Sequence, residues 1–519
     1  MSSIWGIELL TILKEKCSMF FMKKMEKLTV FLLFAFILTF KLDSITKVWV
    51  DEPWYANTAY NFAKSNILEN TNVGMRGGDD NFFYTFLLGL FYKVFPTTLY
   101  SGRLFSSILG LILLTIFFKY IVEKNYYISF LRILALAYII TNVNYIVIFR
   151  TIRPESLGIL LTMVSVYLLS HPLNVKNTIL LSIFSFLSFL THPSYAFLSI
   201  SVFIILLFNT IFNGKESKKC LIYFVLTNIF LILLFILFII LIKKQSLPLF
   251  FKDWFPRVND TKGLKFGSTF YKIKDFVKDY SLGIKRVFIL FYEILSVIIG
   301  IFYFKKNETY KNLSILAVFF LFFNFFILKQ ISLRFFSTIS LFSFLIILET
   351  IKNCKEEKKS FRTTLFTLLT VIYILNNFAG MIFLYSKDKN NTPYSLIEKR
   401  ISETVPENTV TLSLLNLWFP LKNTYNINEY TLLEKKGFKT YEEILEKNKP
   451  DYIIITEYLT RAEATTSGRY LGNSKKRFFT DYINFVFHYM KDGYMLFDTI
   501  ETIGYGTIKI FKKEPATGK

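Results

Sequence analysis

Apolar runs long enough to cross a bilayer recur along the first 385 residues of this chain. A transmembrane helix needs about 20 predominantly apolar residues. Eleven runs approach or exceed that length, at roughly 28–46, 98–122, 127–149, 154–170, 177–191, 194–212, 220–243, 286–304, 312–328, 332–351 and 362–385. The stretch from Leu221 to Leu241 is almost wholly apolar, whereas 154–170 and 177–191 are short. A soluble enzyme has no place for so many such segments. The pattern predicts an α-helical polytopic membrane protein of about 11 transmembrane helices. With 53% hydrophobic residues the chain is not intrinsically disordered, and with 3 cysteines in 519 residues it is not a disulfide-built scaffold.

The formal charge of +23 suggests a polyanion partner until the charge is located. Residues 1–385 carry 41 basic and 21 acidic residues, a net of +20; residues 386–519 carry 20 and 17, a net of +3. The basicity therefore lies between the apolar runs, in clusters of the kind that mark cytoplasmic loops. Nucleic acid is set aside as a partner.

Lys14, Lys16, Lys23, Lys24 and Lys27 place the N-terminus inside. The inner loops then include Lys215/Lys218/Lys219, Lys305/Lys306/Lys311 and Lys352/Lys355/Lys358/Lys359/Arg362, so every dense lysine cluster falls on one side. An odd number of spans puts the C-terminal segment outside, with long outer loops at about 47–97 and 244–285. Tight outer turns fall at Arg150–Pro154 and His192–Pro193. This topology fits a multi-pass protein of the cell's inner (plasma) membrane. Cys17, Cys220 and Cys354 all fall at predicted cytoplasmic ends, which leaves the outer side without a disulfide framework. The first run lacks a small-residue cleavage site and is read as an uncleaved span, with Met22 and Met25 as alternative starts.

After Tyr385 the composition becomes that of a soluble α/β domain, residues 386–519. Strands are expected at Val410–Leu415, Tyr452–Thr456, Tyr494–Thr499 and Gly506–Phe511, and helices at Tyr441–Lys447 and Lys475–Met490. This segment has no metal cluster, glycine-rich phosphate loop or triad. It is expected to support or gate the membrane part.

Ionisable groups at span ends are the chemically informative ones, because charge near the membrane interior costs about 2.5–3.5 kcal/mol on insertion scales. Asp51-Glu52-Pro53-Trp54-Tyr55 follows the first span directly. Pro53 suits a first helical turn, and Tyr55, Ala59 and Phe62 form a stripe expected of a helix on the membrane surface. Asp51 and Glu52 at that helix start would stay ionised beside its dipole, and such an acid can deprotonate an acceptor hydroxyl. A plain helix cap is the equal alternative.

Arg150, Arg153 and Glu155 share the next outer turn, where guanidinium forks match phosphate oxygens. Snorkelling to ordinary lipid phosphates is the alternative reading of the arginines, and from the turn alone the favoured one. His192 could bind phosphate or serve as a structural residue of its turn. Arg76-Gly77-Gly78-Asp79-Asp80 offers an arginine and paired carboxylates that could hold a divalent cation, with a solvated turn as the alternative.

Taken together these pieces resemble the GT-C membrane glycosyltransferases, in the aminoarabinose-transferase and protein O-mannosyltransferase-like branch. Asp51-Glu52-Pro53-Trp54-Tyr55 matches that family's D-E-x-x-Y element. Phe82–Leu113 with Tyr100-Ser101-Gly102-Arg103-Leu104 looks like its second region. Arg153-Pro154-Glu155 resembles its R-P-D/E turn, and Leu187–Pro193 its L-x-F-L-T-K-G element. The stretch from Lys449-Pro450-Asp451-Tyr452 to Gly504-Tyr505-Gly506 is similar to its outer domain.

The resemblance implies a polyprenyl-phosphate sugar donor, an acceptor that is a lipid, a polysaccharide or a protein, and inverting transfer on the extracytoplasmic face. It implies Asp51 as catalytic carboxylate with Glu52 and Tyr55 shaping the site, and Arg153, Glu155 and His192 around donor or acceptor. The chain departs from the family at its K-P-P element, where Gly77-Gly78-Asp79-Asp80-Asn81 stands, and at the lysine of T-K-G, which is His192. Other classes remain: a transporter or flippase for a lipid-linked glycan, against which the chain shows no internal repeat, and a glycan polymerase or ligase.

Overall fold

The computed structural model describes residues 28–49, 51–70, 81–124, 129–213, 215–241, 284–326, 333–428, 446, 448–456, 490 and 493–514. The hydrophobic part forms α1 (Leu28–Thr39), α2 (Asp51–Ser65), α3 (Phe82–Val94), α4 (Leu99–Glu123), α5 (Ser129–Thr141), α6 (Val143–Phe149) and α7 (Pro154–Leu169). It continues through α8 (Val175–Thr191), α9 (Ala196–Asn213), α10 (Lys215–Leu241), α11 (Ile284–Phe302), α12 (Glu308–Phe326), α13 (Leu333–Glu356) and α14 (Ser360–Asp388). Each apolar run of the sequence coincides with one of these helices or, at 127–149, with the pair α5 and α6. Among the described residues five helices are long and apolar enough to cross a membrane, and the α5–α6 pair makes a sixth if it is one span. Others, such as α7 and α8, are apolar but shorter. The chain is a multi-pass membrane protein.

Burial does not follow hydropathy. The very apolar α10 lies at the periphery, with 11% of its span buried, whereas α13 is 89% buried in the centre of the bundle. Lipid solvates apolar side chains as well as protein does, so helices associate through small and hydroxylated residues. Ser337, Thr338, Ser340 and Ser343 supply these on α13, each no more than 1% exposed. The Ser340 hydroxyl meets that of Tyr373 at 2.7 Å, and Tyr373 donates to buried Glu293 at 3.4 Å. The bend of 51° between α5 and α6 also has a local cause. Asn142 leaves the helical conformation, and its side-chain oxygen accepts from the N–H groups of Asn144 and Tyr145, starting a new helix.

The two ends of the bundle differ in charge. Lys124 donates to the Ser170 carbonyl, Lys352 donates to the Lys124 carbonyl, and Lys306 and Lys359 both pair with Glu357. The lysine clusters before α12 and after α13 thus share one end. Helix α14 starts there at Ser360 and runs to Asp388 at the opposite end, where the Asp388 carboxylate accepts from the Thr46 N–H.

That opposite end carries the C-terminal segment: α15 (Tyr394–Thr404), then β1 (Val410–Ser413), β2 (Tyr425–Asn428), β3 (Tyr452–Thr456), β4 (Tyr494–Ile500) and β5 (Ile508–Lys513). The sheet order is β2-β1-β3-β5-β4, parallel from β2 to β3 and antiparallel beyond. β2, with its polar alternation Tyr-Asn-Ile-Asn, had no strand signature of its own. The expected helices at Tyr441–Lys447 and Lys475–Met490 lie almost wholly outside the described residues.

Helix α2 forms where expected, and of its Tyr55/Ala59/Phe62 stripe Ala59 is buried while Tyr55 and Phe62 are half-buried. It packs on α3, burying Glu52, Pro53 and Ala56–Ala59, and its far side reaches the C-terminal segment. There the Tyr60 hydroxyl donates to Asn423 at 2.5 Å, and its ring meets Trp418 edge-on. The outer segment 47–97 thus carries two short helices, the one expected from Asp51 and a second over Phe82–Val94.

Close approach of α4 to the turn before α7 requires Gly102. A Cβ there would come within 2.4 Å of both the Ile152 side chain and the Tyr92 hydroxyl. Replacing Gly102 with alanine is expected to destabilise the protein by about 1–3 kcal/mol through overpacking. A lowered unfolding temperature of the detergent-solubilised variant would check it.

Candidate functional site

After α1 the chain turns irregularly through residues 40–49 before α2 begins. Such a stretch leaves backbone carbonyls unsatisfied at the end of a bundle, where each must find a donor. Two buried arginines supply them. From α4, Arg103 donates to the carbonyls of Leu42 (2.8 Å), Thr46 (2.9 Å) and Lys47 (3.3 Å). From the turn before α7, Arg150 donates to those of Ile37 (2.6 Å), Leu38 (2.9 Å), Phe40 (2.8 Å) and Lys41 (3.2 Å). The C-terminal segment grips the same stretch. Asn391 donates to the Ser44 carbonyl, the Tyr394 N–H to that of Asp43, and the Val48 N–H to the Tyr505 hydroxyl. Lys41 and Thr46 adopt φ of 47° and 66°. That region is unfavourable for a β-branched residue, so these anchors hold a strained path.

The path delivers the Asp51-Glu52 pair, and the structure gives the two acids different environments. Glu52 is fully buried and forks onto Arg103, with Oε2 at 2.9 Å from Nε and Oε1 at 2.8 Å from Nη2. It also accepts from the backbone N–H groups of Trp49 (2.9 Å) and Ile152 (3.0 Å). All five guanidinium donors of Arg103 are thereby engaged. Glu52, expected beside Asp51 as a catalytic acid, ties the start of α2 to α4 and to the Ile152 turn through these bonds.

Asp51 stands at the edge of this assembly with 37% of its side chain exposed. Its Oδ2 receives the Arg153 guanidinium at 3.1 Å and the Trp49 indole N–H at 3.2 Å. Arg153 also meets Glu155 at 3.5 Å; both side chains are 3–4% exposed. Burial works against the Arg153 cation, but the carboxylates of Glu155 and Asp51 outweigh it and hold its pKa above the ordinary arginine value. Of the three acids here, Asp51 is the one that reaches solvent. A carboxylate so oriented can accept a proton from a hydroxyl brought against it.

The remaining expected residues fall as follows. Arg150 is buried with its head among the α1 carbonyls and the Tyr385 hydroxyl, so its contacts are those of a helix cap rather than a ligand fork. Tyr55 is half-buried, edge-on to Tyr84 at 6.1 Å. His192 ends α8; its Nδ1 accepts from the Ser194 N–H at 3.2 Å, which puts the proton of the neutral ring on Nε2. Tyr195, in the same turn, lies against Gly158 one turn into α7, so His192 shares the bundle end of Arg153. Arg76, Asp79 and Asp80 lie outside the described residues. Among the described residues no group of three or more His, Cys, Asp or Glu is placed to hold a metal ion. The acids here fit guanidinium partners instead.

Arg103 and Trp49 were not singled out as site residues by the sequence. Arg103 had a readable signal, since an arginine one turn inside an apolar span must find a carboxylate or carbonyls. Trp49 had none beyond its place two residues before Asp51.

No family model and no curated protein matches this sequence. Solved structures do match. The chain is similar to ArnT from Cupriavidus metallidurans bound to undecaprenyl phosphate, with TM-score 0.62 and 9% identity over 95% of this chain and 99% of that one. The GT-C fold is present here. The archaeal oligosaccharyltransferase AglB from Archaeoglobus fulgidus, in complex with an inhibitory peptide and a dolichol-phosphate, is similar at TM-score 0.51 and 12% identity, over 85% of this chain and 70% of that one. At such identities the likeness lies in the GT-C architecture of the backbone.

The different environments of the two acids predict unequal mutational costs. Glu52→Gln or Arg103→Met leaves a buried partner uncompensated and should cost about 3–5 kcal/mol. Asp51→Asn, at a partly exposed pair, should cost under about 1 kcal/mol. Thermal unfolding of the three variants in one detergent would test the contrast.

Proposed function

We propose that the protein is an integral membrane glycosyltransferase that moves a sugar from a polyprenyl-phosphate donor to an acceptor hydroxyl. The observation carrying this reading is Asp51: a partly exposed carboxylate, oriented by Arg153 and Trp49, on a GT-C fold. The ArnT structure was solved with undecaprenyl phosphate and the AglB structure with a dolichol-phosphate and a peptide, which supports a lipid-linked donor. The acceptor oxygen attacks the anomeric carbon as the carbon–oxygen bond to the lipid phosphate breaks. The lipid phosphate leaves with the electrons of that bond, the acceptor proton passes to Asp51, and the configuration inverts. Arg153 with Glu155 holds the carboxylate in line, while His192 and Arg76 meet the donor phosphate and Tyr55 shapes the wall. In this reading Asp79 and Asp80 also contact substrate.

Residues 1–385 form the catalytic membrane domain in this reading and 386–519 an extracytoplasmic domain. The segregation of the lysine clusters to the end opposite Asp51 supports an active site on the outer face of the inner membrane, since inner loops collect lysine and arginine.

Two measurements test this. Purified protein in nanodiscs should transfer label from a polyprenyl-phosphate sugar, and Asp51→Asn should lower turnover by at least about 100-fold, within the usual range for a general base. Full turnover by Asp51→Asn would remove Asp51 from the mechanism. In intact cells, a membrane-impermeant thiol reagent should label Lys399→Cys and leave Lys358→Cys untouched in an otherwise cysteine-free protein. Both positions are exposed, at opposite ends of the bundle. The reverse pattern would put the site on the cytoplasmic face.

A further inference from the structure

Trp49 is the one large aromatic side chain in contact with Asp51 that is also largely open to solvent among the described residues. It is 52% exposed, whereas Trp54 is half-buried and Trp418 fully buried. Its backbone is fixed at both ends by Glu52: the Trp49 N–H donates to Oε1, and the Trp49 carbonyl accepts from the Glu52 N–H at 2.9 Å. The indole N–H donates to Asp51 Oδ2, and the Arg153 guanidinium lies over the ring at 5.5 Å from its centroid. An indole held by a backbone clamp, a hydrogen bond and a cation is preorganised. An interfacial anchor, the ordinary role of tryptophan at a membrane boundary, needs none of these three.

We infer that Trp49 is the aromatic platform for the sugar ring being transferred. The electron-rich π face attracts the weakly positive C–H groups that a hexose or pentose ring presents on one side. Because the indole N–H is tied to Asp51 Oδ2, a ring lying on the indole has its edge beside the reacting carboxylate. The platform therefore selects a hexose or pentose with an unbroken C–H face over one crowded by axial substituents. The lipid phosphate plays no part in this contact. The inference rests on the reading of Asp51 as the reacting carboxylate.

The test separates sugar from lipid and ring from N–H. Short-chain polyprenyl-phosphate hexoses and pentoses, and the same polyprenyl phosphate without a sugar, are titrated onto wild type, Trp49→Phe and Trp49→Ala in nanodiscs. Trp49→Ala should weaken the sugar-bearing lipid roughly ten-fold, the upper part of the range for aromatic contacts, and leave the sugar-free lipid unchanged. Trp49→Phe should keep the donor KM within about two-fold while lowering kcat, because it retains a ring but loses the N–H that orients Asp51. Equal weakening of both lipids by Trp49→Ala would make Trp49 a lipid anchor and overturn the platform. Unchanged binding of the sugar-bearing lipid would overturn it too. If Trp49→Ala fails to fold, Trp49→Phe with a KM raised as far as full loss of the ring predicts does the same. Sugar-dependent binding without transfer by wild type would instead sink the glycosyltransferase reading and leave the platform standing.

Discussion

Everything at the Asp51 end depends on satisfying the carbonyls of a short non-helical stretch. Between α1 and α2 the chain has eleven residues in which to leave one helix and enter another, and much of that turn is buried, so its carbonyls need donors from the protein. Arg103 and Arg150 satisfy seven carbonyls between them, from Ile37 to Lys47. Because those arginines belong to α4 and to the turn before α7, the same bonds fix α1 against both. The Glu52 fork closes the assembly by joining the start of α2 to Arg103. Position of the acid pair and packing of the bundle end are therefore one property.

Charge is sorted along the molecule. At the lysine end the side chains are mostly exposed and paired with exposed acids or carbonyls, as with Lys306, Lys359 and Glu357. At the opposite end Arg103, Arg150, Arg153, Glu52 and Glu155 are almost wholly buried. Exposed pairs of the first kind contribute little to stability. Buried groups of the second kind matter because each depends on the others for compensation. The buried charges at this end are thus the ones that organise the site.

Much of this was legible in the sequence, and the limits have physical causes. Helix positions follow from apolar length, which needs no tertiary knowledge, and each of the eleven runs contains a helix. Asp51, Glu52, Arg150, Arg153 and Glu155 were found because charge near a span end is costly enough to need a reason. Their separate roles were not legible. Glu52 and Asp51 are adjacent and chemically alike, and only the course of the chain decides that one faces Arg103 and the other solvent. Arg150 has the composition of a phosphate fork, yet its head meets the carbonyls of a helix more than a hundred positions earlier. The stripe of helix α2 is visible in the sequence, but not that α3 lies against the helix. Strand β2 is short and polar, and its pairing with β1 alone makes it a strand.

The saturation of Arg103 has a bearing on how such a site can diversify. Its five donors are committed to Glu52 and three carbonyls, so a new anionic group could bind there only by releasing a backbone oxygen in a buried place. The inner half of the site is closed to renegotiation, and most substitutions in it are paid for in folding. Variation in what the protein recognises is left to the rim, where Asp51 and Trp49 face outward and side chains can change without disturbing the anchors beneath.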